Sequence, residues 1–219
     1  MDDSSPTRAV ARLTPRGAKT RSRIVETAAE LIRVRGVGGT TLDDVVAASK
    51  ISKSQLYRHF EDKPALVRAV IEYVGDRKIS GERERLENVR TFAGLRRWRD
   101  AMIENNALES GRYGCSLGSL ANEVADHDWV ARLKLEELFS AWEQLFMDVI
   151  ERLQDDGLVP ASANVRQLAT GFVAAIQGGY LLAQTSRDVA PMESAIDMAI
   201  THLQLLAMAD ERALEQLDA

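Results

Sequence analysis

Residues 40–60, TTLDDVVAASKISKSQLYRHF, decide the fold. They read as two short helices joined by a tight turn, a helix-turn-helix. Thr41 places a side-chain oxygen just before Leu42, Val45 and Val46, and Asp43 and Asp44 occupy the first turn, where a helix dipole favours negative charge. Ser52 opens the second helix, and Gln55 three residues later completes the S-x-x-Q form of a capping box. Leu56 and Phe60 share an inward face at i, i+4. The outward set, Lys53, Ser54, Gln55, Tyr57, Arg58 and His59, is rich in donors, carries no acid, and is short enough for a major groove. A surface helix hairpin within a larger α domain would show the same spacing, so spacing alone leaves both readings open.

The next segment separates them. Leu56, Tyr57, Phe60, Lys63 and Leu66 form L-Y-x-x-F-x-x-K-x-x-L running out of the capped helix. With this motif the chain resembles the TetR/AcrR family of bacterial transcription repressors, over residues 20 to about 74 and more loosely along its whole length. The resemblance implies an all-α protein: an N-terminal three-helix helix-turn-helix DNA-binding domain, residues 17–62, followed by a larger helical effector-binding and dimerisation domain, residues 63–219. It implies backbone contacts to double-stranded DNA from Thr41, Tyr57, His59 and Lys63, and groove contacts from Lys53, Ser54 and Gln55. The chemistry of these side chains agrees, because Gln can pair with adenine, Lys can donate to guanine acceptors, and Thr, Tyr and Lys donors suit phosphate oxygens. If Asp62 caps the following helix and Pro64 lies in its first turn, Lys63 sits at the positive end of a helix dipole. That placement is unfavourable by roughly 0.3–1 kcal/mol until an anion arrives. The sequence departs from the family pattern at Lys50, where Gly is usual, and at Val46, where Ala is usual. Lys50 in a left-handed conformation would cost roughly 1–2 kcal/mol.

Residues 1–16 contain Asp2, Asp3, two Pro and then Arg8, Arg12 and Arg16 without an apolar period, which predicts a disordered basic arm. No window approaches the length of a membrane span or a signal peptide, so a cytoplasmic protein is expected. The single cysteine, Cys115, cannot form an intramolecular disulfide and fits a reducing compartment. Residues 1–60 hold eleven Lys and Arg against six Asp and Glu, a net of +5, while the whole chain is −5, so the remaining 159 residues carry −10. A basic head on an acidic body suits one end that meets phosphate. The first helix is expected from about residue 16 or 18 to 34, with Ile24, Ala28, Leu31 and Ile32 inward and Gly36 as a left-handed stop. Lys19, Arg21 and Arg23 at its start are candidates for phosphate contact, and Arg21 is taken into the DNA-binding set.

Beyond the head, a fourth helix is expected over residues 63–78, then a charged connection over 79–90. A fifth follows from 92 to 108 behind Thr91, a glycine-rich loop over 111–118, a short helix over 119–125, and a long helix over 128–155 stopped by Gly157. Two further helices start at Ser162 or Asn164 and at Pro191. The last two are amphipathic, with small residues at their contact face, and suit a two-fold surface formed by Leu168, Gly178, Gly179, Leu182, Ile196, Ile200 and Leu203. The family resemblance implies the same homodimer, through a four-helix bundle. The alternative is that the hairpin is intramolecular core, although a helix-turn-helix reading a palindrome needs a two-fold partner.

Trp98, Met102, Trp142, Phe146, Phe172, Gln177 and Tyr180, with Asn105, are candidates as a set to line a pocket for a small hydrophobic or aromatic effector; taken singly, each reads first as plain core. The runs GCSLGSLANE and AAIQGGYLLAQTSRD are similar to the LmrA/YxaF branch of the family, whose members answer to drug-like or plant aromatic compounds. Catalysis finds no footing: His59, His127 and His202 lie far apart, no Cys or carboxylate cluster has metal spacing, and the glycines near Cys115 lack a P-loop lysine. No cofactor is expected. The expected function is a ligand-responsive repressor on a palindromic operator. The alternatives are a redox sensor acting through Cys115 and a regulator without an effector.

Overall fold

A computed structural model of the chain describes residues 14–108 and 114–217, side chains at 108 and beyond 209 excepted. The described residues form nine α-helices and no strand. The expected arm, apart from residues 14–16, and residues 111–113 of the expected glycine-rich loop lie outside them.

The first helix, α1 (Pro15–Arg35), begins at Thr14, whose hydroxyl accepts the Gly17 N–H at 3.2 Å. Pro15 takes the first helical position, where its missing N–H leaves nothing unpaired. Pro15 and Arg16 are therefore helical. Gly36 ends α1 at φ 74°, ψ 170°, a positive φ as expected but outside the left-handed helical well. Next come α2 (Leu42–Ser49) and α3 (Lys53–His59). Ile24, Ala28 and Ile32 of α1, Val45 of α2, Ile51, Leu56 of α3 and Phe60 just after it close a small core over the start of α4 (Lys63–Leu86).

The fourth helix runs eight residues beyond its expected end. The charged segment was expected to be a connection, yet Ile79, Glu82 and Leu86 continue the inward face while Arg83, Glu84 and Arg85 are exposed. Glu82 is fully buried. Nothing in its residue type announces that burial; three donors described below make it possible.

The body is built from α5 (Phe92–Leu108), α6 (Ser116–Val124), α7 (Trp129–Asp155), α8 (Val165–Ser186) and α9 (Ala190–Leu217). Thr91 accepts the Gly94 N–H at 3.0 Å at the start of α5, and Asn164 rather than Ser162 caps α8. The sixth helix starts three residues earlier than expected, because Leu117 is drawn into the core together with Leu120 and Val124. Asp128 caps α7 by accepting N–H bonds from Val130 and Ala131. The seventh helix packs on α4, α6 and α8, and α8 packs along α9. That last contact is so close at Gly179 that an added Cβ would stand 2.9 Å from the Met192 Cα. No described helix is long and apolar enough to cross a membrane.

Lys50 adopts φ 54°, ψ 46°, the left-handed well normally left to glycine. Replacing it should therefore relieve strain: Lys50→Gly is expected to raise the unfolding free energy by up to about 1 kcal/mol, after subtracting glycine's extra unfolded-state freedom. Urea denaturation followed by circular dichroism checks the sign.

Candidate nucleic-acid interface and effector space

The turn at Lys50 aims α3, and two reciprocal caps fix both helix starts. In the first, Asp44 N–H donates to Thr41 Oγ1 at 3.1 Å while Thr41 N–H donates to Asp44 Oδ2 at 2.9 Å. In the second, Gln55 N–H donates to Ser52 Oγ at 3.2 Å and Ser52 N–H to Gln55 Oε1 at 2.9 Å. These bonds satisfy N–H groups that a helix start otherwise leaves open. With Leu56 and Phe60 buried, the opposite face of α3 is presented outward, and Tyr57 on it is 55% exposed.

The eight expected DNA-contacting residues, on that face and around it, occur in different states. Lys53 and Ser54 are exposed, but Lys53 Nζ lies 2.8 Å from Asp43 Oδ1, and Ser54 Oγ shares a proton with Ser52 Oγ at 2.9 Å. Gln55 is half-buried, and its carbonyl oxygen is engaged in the cap. Its amide N–H groups remain for a base edge, so two-point pairing with adenine would require the cap to open. Thr41 is exposed, with its hydroxyl held by Asp44. Arg21 lies with its guanidinium 5.2 Å from the centre of the Phe60 ring, which anchors the start of α1 to the end of α3. His59 beside it is half-buried, and its Nδ1 has no hydrogen-bond partner among the described residues. Burial, followed by the positive charges of Arg58 and Arg21, pushes the His59 pKa down and favours neutral imidazole. Lys63 is half-buried in the first turn of α4 behind its cap Asp62, which accepts the Ala65 N–H at 2.7 Å. That turn contains no acid.

The expected effector residues divide into two groups. Trp98, Met102, Trp142, Phe146 and Phe172 are all at most 3% exposed. Phe146 meets Trp98 edge-on with ring centres 5.2 Å apart and stacks on Phe172 at 5.0 Å. These rings are packed on one another. Asn105 is exposed, whereas its neighbour Asn106 is 9% exposed and its amide nitrogen has no hydrogen-bond partner among the described residues. The four-residue helical step from Met102 reaches 106, which is why the inward amide is one position further on. Gln177 and Tyr180 line a cleft of about 340 Å³ between α6, α7 and α8, together with Cys115, Gly118 and Phe139. Cys115 is buried there, and Gln177 Nε2 donates to its Sγ at 3.4 Å.

Under these rings lies a buried charge cluster that the sequence did not signal. Glu82 accepts from Trp98 Nε1 at 3.0 Å, Lys78 Nζ at 3.0 Å and Arg85 at 3.1 Å. Lys78 Nζ also lies 4.5 Å from the Trp142 ring centre and 5.7 Å from that of Tyr180. Burial works against its charge, but Tyr180 and Glu82 outweigh it and hold the Lys78 pKa above its ordinary value. Burial likewise pushes the Tyr180 phenol up.

Two long-range contacts join head and body. Glu123 of α6 accepts the backbone N–H groups of Val37 at 2.6 Å and Gly38 at 3.2 Å, just after α1. Arg68 of α4 donates to Asp128 at 2.8 Å, and this bond is the first of the causes that lower the Asp128 pKa. The partners are 86 and 60 residues apart, beyond any helical period.

The expected dimer surface is also rearranged. Gly178 and Leu182 are exposed and Leu168 is half-buried. Gly179 is buried against Met192, and Ile196, Ile200 and Leu203 are at most 3% exposed within their own chain. That apolar repeat packs α9 onto α8. The stripe facing outward consists of Leu181 and Leu182 on α8 and Met198, Leu205 and Met208 on α9, each 48–68% exposed.

Two family models match the chain. Residues 24–70 match the bacterial regulatory proteins of the tetR family, and residues 91–198 match the C-terminal domain of LmrA/YxaF-like transcriptional regulators. An uncharacterized HTH-type transcriptional regulator in the lacX 3' region of Lactococcus lactis is 28% identical over 192 residues, covering 84% of this chain and 93% of its own length. The HTH-type transcriptional repressor DhaR of a Mycobacterium species is 27% identical over 186 residues, covering 84% and 91%. Among solved structures, the regulatory protein TetR from Rhodobacter sphaeroides superposes with a TM-score of 0.72 at 20% identity, covering 84% of this chain and 98% of its own. These relatives are regulators, not enzymes, and the chain belongs to the TetR family of helix-turn-helix transcriptional regulators, with a C-terminal domain of the LmrA/YxaF-like type.

Proposed function

We propose that this regulator is a cytoplasmic homodimeric repressor that holds a palindromic operator and releases it when a small hydrophobic or aromatic effector binds its body. Residues 17–62 form its DNA-contacting unit, and residues from 63 onward form its effector and dimerisation unit. The observation that carries the reading is the doubly capped α3, which buries Leu56 and Phe60 and turns Lys53, Ser54 and Tyr57 to solvent. Arg21, His59 and Lys63 flank that face with donors suited to phosphate. Lys63 adds a cation at the positive end of a helix, a placement that an approaching phosphate relieves.

The outward stripe on α8 and α9 supports a two-fold partner, because a helix-turn-helix dimer places two recognition helices one turn of DNA apart. The name of the relative DhaR supports the sign of regulation. Effector release follows when a ligand binds better to a body whose two heads are wrongly spaced for the operator.

Purified protein should select a palindrome near its own gene over unrelated DNA in a gel-shift or anisotropy assay, with affinity falling steeply as salt rises. Equal binding to all DNA at every salt concentration would remove the repressor reading. Leu182→Glu should shift the protein from dimer to monomer in analytical ultracentrifugation and lower operator affinity at least tenfold; a dimer that withstands it puts the interface elsewhere. Phosphate next to His59 favours the imidazolium that the free protein disfavours. DNA binding should therefore take up a proton, and operator affinity should rise as pH falls through the ordinary imidazole range. His59→Gln should flatten that part of the pH profile.

A further inference from the structure

We propose that the cleft between α1, α4 and α6 is a binding site for an amphipathic organic anion, with its apolar body on Val70, Val74 and Leu120 and its charged head between Arg77 and Lys78. Its effect on DNA rests on the effector reading above; its binding does not. The cleft has a volume of about 400 Å³, within the range of small-molecule sites, and is separate from the space beside Gln177 and Tyr180.

Its chemistry is divided. The walls contributed by α1, α4 and α6 are largely apolar, with Ile32, Val70, Val74 and Leu120 among them. The rim is charged, and most of its charge is already engaged. Glu30 takes Arg33 at 3.0 Å, and Glu82 takes one N–H each from Lys78 and Arg85. Arg77 differs: its guanidinium lies 5.6 Å from the Tyr73 ring centre and has no carboxylate partner among the described residues. Lys78 keeps one N–H beyond those engaged by Glu82 and Tyr180, and its amine is held charged. Two donors of like charge thus border an apolar cleft. A neutral apolar ligand would leave Arg77 without an anion, and a cation would be repelled.

The opposing wall supplies the consequence. Glu123 borders the same cleft and is the carboxylate that holds the Val37 and Gly38 N–H groups. Gly36 precedes them with no side chain; an added Cβ would stand 2.9 Å from the Glu123 carboxylate. An anion seated at Arg77 and Lys78 raises the energy of Glu123 in that position and so weakens the hold of α6 on the turn between α1 and α2. By reciprocity, the state that lacks this hold binds the anion better.

The test is titration calorimetry on the full chain with octanoate and 1-naphthoate, against octanol and 1-naphthol as uncharged counterparts. The anions should bind about tenfold more tightly than their counterparts, the scale of one charge-assisted hydrogen bond. Arg77→Gln should remove that preference without changing the binding of the alcohols. Gly81 lies on the wall formed by α4, and a Cβ there meets nothing within 4 Å, so Gly81→Leu fills the cleft while favouring the helix. It should abolish anion binding with the thermal midpoint kept or raised. Glu123→Gln keeps an acceptor for the two N–H groups but loses the repulsion, so it should bind octanoate more tightly and keep its DNA affinity when octanoate is added. Equal binding of acid and alcohol, undiminished binding by Gly81→Leu, or no saturable binding of either acid would overturn the site. If the anions bind as described but the protein selects no DNA, the repressor reading fails and the site stands.

Discussion

The double burial of α4 is the constraint on which the rest depends. Its first half closes the core of the helix-turn-helix through Leu66, Val67 and Val70, and its second half enters the body through Ile71, Ile79 and Leu86. One rigid rod therefore belongs to both units, and buried side chains run along it from Leu66 to Leu86, with Glu82 the one charged member among the described residues. A helix in that position transmits rotation rather than absorbing it, since close-packed interiors shift between discrete arrangements. The polar contacts that set its angle are few. Arg68 ties it to the cap of α7, and Glu123 ties the neighbouring turn to α6. Both lie toward the surface, where single ion pairs and hydrogen bonds are modest in net strength. The geometry of the head is thus firmly built inside and lightly restrained against the body.

Glu82 shows how the body accepts a charge without exposing it. A buried carboxylate is costly unless it is paired and hydrogen-bonded, and here the indole N–H of Trp98, the amine of Lys78 and the guanidinium of Arg85 all converge on it. Lys78 in turn faces the Trp142 ring, so the cluster ties α4 to α5 and α7 in one place. Removing any one donor would leave the others beside an undercompensated charge.

The helix-turn-helix was legible because its determinants are local. Caps at Thr41, Ser52 and Asp62, the inward pair Leu56 and Phe60, and the strained position of Lys50 all lie within a few residues of the features they fix. The body was legible in helix number and approximate limits for the same reason, since Thr91, Asp128, Asn164 and Gly157 punctuate it. What escaped was set at a distance. The continuation of α4 to Leu86 depends on one donor from α5, Trp98, meeting Glu82, and the roles of Glu123 and Asp128 depend on partners 60 to 86 residues away. The faces of α8 and α9 divide for a related reason: Ile196, Ile200 and Leu203 of the expected dimer surface pack within the chain, while Gly178 and Leu182 face outward. A helix with apolar residues on two sides offers two stripes, and periodicity alone does not say which one the same chain will cover.

The pair between Lys53 and Asp43 has a consequence for how such a protein searches a chromosome. Asp43 is an anion carried by the protein itself at the spot where the proposed DNA contact of Lys53 would place its own. Arbitrary duplex offers only backbone charge and must displace Asp43 for little return, whereas a correct site adds base-edge acceptors that hold the freed ammonium. With Lys53 in the proposed DNA contact, the carboxylate would act as a resident competitor, one that shortens dwell time on the vast excess of wrong sequence more than it weakens the final complex.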